Sequence, residues 1–306
     1  MIAQREIAPG VAVAAIGFGG YHLGLIEDER EAIRLLLTAI DAGITFLDNA
    51  WEYNKHVSEE RMGKALAEGG RRDGVFLMTK VCTHGRDGKV AMQQLEESLR
   101  RLRTDHLDLW QIHEVVYDDD PARHYAKGGA VEALDRAKRD GKVRFVGFTG
   151  HKRPEIHREM IERGYPFDTA QMPLNVCDAS YRSFERGVLP LARDRGIKAI
   201  GMKGFAEGRL IGAGGIAPDD ALRYAMSLPG VLTTVTGIDS RQVLDHHVRI
   251  ADGFTPLDEV AMQALRDKYR PLATDGHLEL YKSTAKNDAD EGRAVHGFPP
   301  MSELAM

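Results

Sequence analysis

Ile44-Thr45-Phe46-Leu47-Asp48-Asn49-Ala50-Trp51-Glu52-Tyr53 reads as a short strand that runs directly into an acid and then a tyrosine-bearing loop. Its apolar run is too short for a helix and carries β-branched and aromatic residues, and the preceding Asp41-Ala42-Gly43 has the turn chemistry of a helix end. The same unit recurs along the chain. Further strand candidates are Val13 to Gly17, Val75 to Met78, Leu107 to Ile112, Val143 to Phe148, Ala170 to Leu174, Ile197 to Met202 and Val231 to Thr236. Between and after them lie amphipathic helical patterns: Glu29 to Ala42, Glu59 to Ala67, Val90 to Leu102, Ala130 to Arg139, Pro154 to Arg163, Phe184 to Arg195, Pro218 to Met226 and Arg241 to Ala251. Eight of each predict a closed parallel (β/α)8 TIM barrel, with a short N-terminal β-hairpin and an irregular C-terminal tail over the barrel mouth. A doubly wound sheet would alternate in the same way, but it usually carries a Gly-x-Gly-x-x-Gly turn after an early strand. Gly17, Gly19 and Gly20 lack that spacing and read as turn residues after the first strand, or else as a close backbone approach to a ligand.

At 306 residues and 43% hydrophobic composition the chain suits one barrel domain over 1–306, with 271–306 as its tail. A last helical pattern, Asp258 to Tyr269, precedes that tail, and Gly201 to Gly215 reads as a long loop over the active face. The formal charge of -5 is spread without a basic block, which argues against a nucleic-acid or membrane-surface partner. No stretch approaches the roughly 20 apolar residues that cross a bilayer, so the expected location is the cytoplasm. Cys82 and Cys177 are far apart and lack metal spacing, so they read as buried, reduced thiols and no metal is expected.

Asp48, Lys80 and His113 each follow a strand candidate immediately, and on a parallel barrel such positions converge at the C-terminal mouth. Tyr53, five residues past Asp48, can fold over the same opening. The group suits carbonyl reduction. Hydride delivery to a carbonyl carbon leaves an alkoxide that needs a proton, and a tyrosine supplies one when a neighbouring cation stabilises phenolate. Lys80 is that cation, Asp48 its counter-charge, and His113 a hydrogen-bonding partner for the substrate oxygen. Taken singly, each residue has an ordinary structural reading: Asp48 as a turn residue, Lys80 as a solvated amine, His113 as a core histidine. The joint pattern on three successive strand ends favours function.

With these residues in view, the chain resembles the aldo-keto reductases over nearly its whole length. Phe46-Leu47-Asp48-Asn49-Ala50 with Tyr53, Thr79-Lys80 and Gln111-Ile112-His113 are similar to the family's catalytic tetrad in order and spacing. The resemblance implies a nicotinamide dinucleotide lying extended across the mouth, with NADP(H) expected in preference to NAD(H). It implies that Gln171 meets the carboxamide end, and that Gly237-Ile238-Asp239-Ser240 lies near the adenosine phosphate at a helix start. Many relatives place Ser-Asn after the fifth strand, where this chain has Thr149-Gly150-His151, and a stacking tyrosine after the seventh, where it has Met202. Lys203 and Arg209 are candidates for the pyrophosphate. Arg241 is the one candidate nearby for a 2'-phosphate, which Asp239 would repel.

Trp51, Tyr21 and Glu114 are the leading substrate-pocket candidates, with His22, Glu52, His84 and Val115 in the same loops; Trp51 is expected either to offer a flat apolar wall or to pack beneath its loop. The expected partner is a small carbonyl compound and the expected state a monomer or weak homo-oligomer. Two other readings compete: a nicotinamide-nucleotide-binding regulatory or sensor subunit with little turnover, and a lyase or isomerase using Lys80 as a Schiff-base amine.

Overall fold

The computed structural model describes residues 1–68, 70–82, 85–282, 290–295 and 299–303. An antiparallel hairpin of β1 (Gln4–Ala8) and β2 (Val11–Ala14) comes first. Eight parallel strands follow: β3 (Ile16–Gly19), β4 (Phe46–Asp48), β5 (Phe76–Lys80), β6 (Leu107–Ile112), β7 (Val143–Thr149), β8 (Thr169–Pro173), β9 (Lys198–Met202) and β10 (Val231–Gly237). They close in the order β10-β3-β4-β5-β6-β7-β8-β9, so the chain forms a (β/α)8 barrel. The helices are α1 (Gly20–Leu25), α2 (Glu29–Asp41), α3 (Val57–Ala67), α4 (Gly88–Leu102), α5 (Asp120–His124), α6 (Ala130–Arg139) and α7 (Pro154–Glu162). Then come α8 (Phe184–Gly187), α9 (Leu189–Asp194), α10 (Arg209–Gly212), α11 (Pro218–Ser227), α12 (Arg241–Ala251), α13 (Glu259–Tyr269) and α14 (Asp290–Val295). Asp28, Asp87, Ser240 and Asp258 cap their helices through side-chain oxygens, as polar residues at helix starts are expected to do. None of the described helices is long and apolar enough to cross a membrane.

Alternation along the strands sorts the core into two layers. Phe46, Phe76, Met78, Leu109, Ile200, Leu232 and Val235 pack inside the barrel together with Ile7 and Val13 of the hairpin, which therefore closes the end opposite the strand C-termini. Leu47, Leu77, Trp110, Ile112 and Phe148 belong to the larger layer under the helices. Phe46 stacks on Phe76 at 5.2 Å between centroids. Each such ring, fully buried, contributes roughly 1.5–3 kcal/mol.

Three expectations are corrected. The apolar run Val13 to Gly17 is two strands, because Val13 and Ala14 pair with β1 while Ile16 and Gly17 pair with β10 and β4. Gly17 and Gly19 are strand residues rather than turn residues: a Cβ on Gly17 would lie 2.9 Å from the Phe46 ring, so the glycine makes room for the interior stack. The pattern Phe184 to Arg195 divides into α8 and α9, since Gly187 weakens the helix and Pro190 cannot donate to a preceding carbonyl. In the tail, Glu279, Tyr281 and Lys282 are buried against the loop after β8. Lys282 Nζ lies 2.6 Å from Asp178 Oδ1 and 2.9 Å from Glu279 Oε1, and the Asn175 amide donates to Glu279 (3.0 Å) and to the Tyr281 hydroxyl (2.9 Å).

Two buried imidazoles set the acid limit of the fold. His157, whose Nε2 donates to the Gln171 carbonyl at 3.1 Å, is pushed down to about 4 by burial, and so is His247 beside His246. With the folded value below the free value, each stabilises the protein fully above about pH 6.5, and that stability is lost as pH falls toward 4. Urea unfolding is expected to show stability declining from pH 6.5 to 4 by up to roughly 3 kcal/mol per group. Asp178, pushed up to about 6 by burial, works in the opposite sense below pH 6, so a wild-type profile that matched a His157→Gln, His247→Gln double variant over that window would contradict the burial of both rings.

Candidate active site

Parallel register brings the polar strand ends side by side: Asp48 pairs with Met78, and Lys80 with Gln111 two residues before His113. Asp48 and Lys80, 3% and 1% exposed, form an ion pair. The ammonium also donates to the Asn49 carbonyl at 2.7 Å and to the Tyr53 hydroxyl at 3.3 Å, and it sits 4.9 Å from the centre of the Tyr53 ring. Its three N–H groups thus have three oxygen acceptors. Because the lysine donates to the phenol oxygen, the phenol proton is left free to point elsewhere. The second Asp48 oxygen accepts from the Gln171 amide at 2.8 Å, a pairing that leaves Gln171 Oε1 buried without a partner among the described residues.

Tyr53 leaves the barrel in the loop after β4. Burial, then the negative charges of Asp48, Glu114 and Glu52, push its hydroxyl well above the usual tyrosine range, so it is held as a phenol. His113, 4% exposed, packs its ring edge-on to Tyr53 at 5.7 Å, and its Nδ1 lies 2.7 Å from Glu52 Oε1. Tyr21, on α1 and 49% exposed, meets Tyr53 edge-on at 5.5 Å and forms an outer rim.

A second carboxylate–imidazole pair adjoins the first. Glu114 takes the left-handed backbone conformation (φ 54°), its N–H donates to the Thr149 hydroxyl at 3.1 Å, and its Oε1 is 3.1 Å from His151 Nε2. Burial alone would raise this carboxyl; the opposing pull of His151, then of His113 and Lys203, holds it down at about 2. His151 Nδ1 donates to the Tyr281 carbonyl of the tail at 2.9 Å. Gly150 is enclosed, with a Cβ there meeting His157 at 2.7 Å. Of the Thr149-Gly150-His151 segment, the imidazole is therefore committed to the tail and to Glu114.

The remaining dinucleotide candidates lie along the rim after β9 and β10. Met202 is half-buried, Lys203 pairs with Glu207 at 2.6 Å and lies 5.6 Å over the Tyr281 ring, and Arg209 is exposed at the start of α10. Gly237 is half-buried and Ile238 buried, while Asp239, Ser240 and Arg241 are exposed at the start of α12. There Ser240 caps the helix by accepting from Val243 N–H at 3.3 Å, and Arg241 pairs with Asp245 at 2.7 Å. The His22 ring covers the Gly237 backbone so closely that a Cβ there would lie 2.7 Å from its Nε2.

Trp51 departs from the expected pocket wall. Its indole N–H needs an acceptor and finds Glu97 of α4 at 2.8 Å, with the Arg101 guanidinium 5.8 Å over the ring, so the side chain is turned toward the outer helix layer. Val115 is wholly buried. His84 lies outside the described residues. The Gln171–Asp48 and His151–Tyr281 bonds were absent from the sequence reading, since they join residues 123 and 130 positions apart with no local signal.

The model of the aldo/keto reductase family matches residues 15–219. The chain is 30% identical over 215 residues to the aldo-keto reductase YhdN of Bacillus subtilis, an alignment spanning 66% of this chain and 62% of that relative. Among solved structures, the holo form of aldo-keto reductase AKR11C1 from Bacillus halodurans superposes with a TM-score of 0.75 at 24% identity, over 91% of this chain and 100% of that one. An aldo/keto reductase from Klebsiella pneumoniae, solved with NADP and acetate, gives 0.71 at 24% identity over 88% and 96%. A family match over two-thirds of the sequence, on a barrel of the same topology, carries one conclusion: the chain belongs to the aldo/keto reductase family.

Proposed function

We propose that the protein reduces an aldehyde or ketone to an alcohol with a reduced nicotinamide dinucleotide, NADPH in preference to NADH, and that Tyr53 donates the proton. The observation that carries this reading is the direction of the Lys80–Tyr53 hydrogen bond: an ammonium donating to the phenol oxygen leaves the phenol proton for a substrate oxygen.

The chain's own groups divide the work as follows. Tyr53, held as a phenol, has a proton to give as negative charge develops on the carbonyl oxygen. Lys80 stabilises the phenolate left behind. Asp48 fixes the lysine and is itself fixed by Gln171. His113, edge-on to Tyr53, shares the substrate oxygen. The reduced nicotinamide, when bound, supplies the hydride. The residues fit that group, because Gln171 Oε1 is a buried acceptor with no donor among the described residues and suits a carboxamide N–H. Ser240 and the N-terminus of α12 are the groups proposed for the phosphate end, with Arg241 available once it leaves Asp245. The Klebsiella relative bound to NADP supports the same preference. Tyr21 and Glu114 are proposed to border the substrate, whereas Trp51 is not.

The Schiff-base reading loses ground on geometry. A nucleophilic amine needs a free lone pair, and Lys80 Nζ is ringed by three oxygens that take its three protons. Consumption of NADPH and of NADH by the purified protein with short aldehydes and ketones tests the proposal. Carbonyl-dependent oxidation, faster with NADPH, is the expected result. Tight nucleotide binding without turnover across the panel would instead indicate a sensor.

A further inference from the structure

Directly after Tyr53 the backbone does something costly. Asn54, Lys55 and His56 have φ of 54°, 54° and 73°, three consecutive non-glycine residues in the left-handed region. Asparagine tolerates this conformation; lysine and histidine do so less well. Asn54 Oδ1 is also buried without a hydrogen-bond partner among the described residues. Strain and an unpaired polar atom side by side persist only where the surroundings over-determine them.

The surroundings here are α1. The Asn54 side chain lies flat on Gly24, where a methyl group would fall 2.7 Å from Asn54 Cβ and closer still to its amide. The helix cannot yield easily, because α3 ties it down. Ser58 Oγ donates to the Gly20 carbonyl at 2.6 Å, and Arg61 donates to the carbonyls of Leu23 at 2.7 Å and Ile26 at 2.6 Å. The same helix carries Tyr21 against the Tyr53 ring. A rigid, glycine-lined seat therefore receives the residue adjacent to the proposed proton donor.

We propose that Gly24 and Asn54 form a seat that positions the Tyr53 hydroxyl between Lys80 and the substrate, Gly24 acting as a positioning residue through Asn54. This rests on the reductase reading for its kinetic consequence, while the structural consequence stands apart from turnover. A methyl at Gly24 pushes Asn54 out and carries Tyr53 with it, and misplacement of a reacting group by about 1 Å costs on the order of 10²-fold in rate.

The test is a cycle of Gly24→Ala, Asn54→Gly and the double variant. Gly24→Ala and Asn54→Gly are each expected to lower kcat at least about tenfold with NADPH affinity within about threefold. In the double variant the methyl enters space vacated by the asparagine, and a glycine following Tyr53 takes the left-handed conformation freely. It is expected to recover at least about tenfold over the product of the single effects. The second readout is fluorine NMR of protein labelled with 3-fluorotyrosine, the Tyr53 signal being assigned with Tyr53→Phe. It is expected to shift in each single variant and to return toward wild type in the double. Purely multiplicative kinetics with an unmoved Tyr53 signal, or single variants with kcat within about threefold of wild type, would overturn the seat. Should Gly24→Ala fail to fold, Asn54→Gly alone decides by the same kcat and fluorine criteria. If wild type turns over no carbonyl compound, the reductase reading fails, and the fluorine signal still decides the seat.

Discussion

Tyr53→Phe is expected to lower kcat by roughly 10³-fold while leaving nucleotide affinity within about threefold. The substitution keeps the ring, and with it the edge contact to Tyr21, the edge contact to His113 and the ammonium of Lys80 over the ring face. Lys80 loses one of its three acceptors but keeps Asp48 and the Asn49 carbonyl, so the ion pair has no reason to move. What disappears is the O–H placed to protonate an alkoxide. Steady-state kinetics with a good aldehyde substrate, together with nucleotide binding by fluorescence quenching, separates the two effects. Retention of more than a tenth of the wild-type kcat would mean that the proton comes from another group, with His113 the nearest alternative.

Sequence and structure agree where a residue's position follows from strand periodicity. Asp48, Lys80 and His113 stand at the ends of apolar runs, and eight such runs imply a closed barrel, so their convergence is legible without coordinates. Tyr53 followed from its spacing after Asp48. The reading weakens wherever side chains choose among acceptors that lie distant in sequence. Trp51 was expected to face the mouth because it neighbours the tetrad, but its indole N–H takes Glu97 on an outer helix. His151 stands in the segment where many relatives carry an amide toward the dinucleotide, and its Nδ1 donates to a tail carbonyl 130 positions away, which no local pattern announces. The left-handed run at Asn54 to His56 carries no glycine to announce it. It packs on α1, a six-residue helix that periodicity over longer windows does not detect.

Lys80→Met isolates the electrostatic part of the site. The methionine stem fills much of the space, so packing loss is small, but Asp48 is left as a carboxylate at 3% exposure with the Gln171 amide as its remaining side-chain donor. Breaking a buried pair by removing one partner costs about 3–5 kcal/mol, because the surviving charge keeps its desolvation penalty and loses its counter-charge. A fall in Tm on the order of 10 °C is expected. Catalysis should fall as well, since Tyr53 would then face Asp48, Glu114 and Glu52, the charges that already disfavour phenolate, without the ammonium beside its oxygen. The pairing itself is tested by adding Asp48→Asn. With both charges gone no uncompensated ion remains, so the double variant is expected to be more stable than Lys80→Met alone while staying catalytically inactive. Recovery of stability without any recovery of activity distinguishes a charge pair that serves catalysis from one that serves the fold. If Lys80→Met melted with the wild type, Asp48 would have to be compensated by something other than the lysine, and the proposed role of Lys80 as the cation that stabilises the Tyr53 phenolate would lose its physical basis.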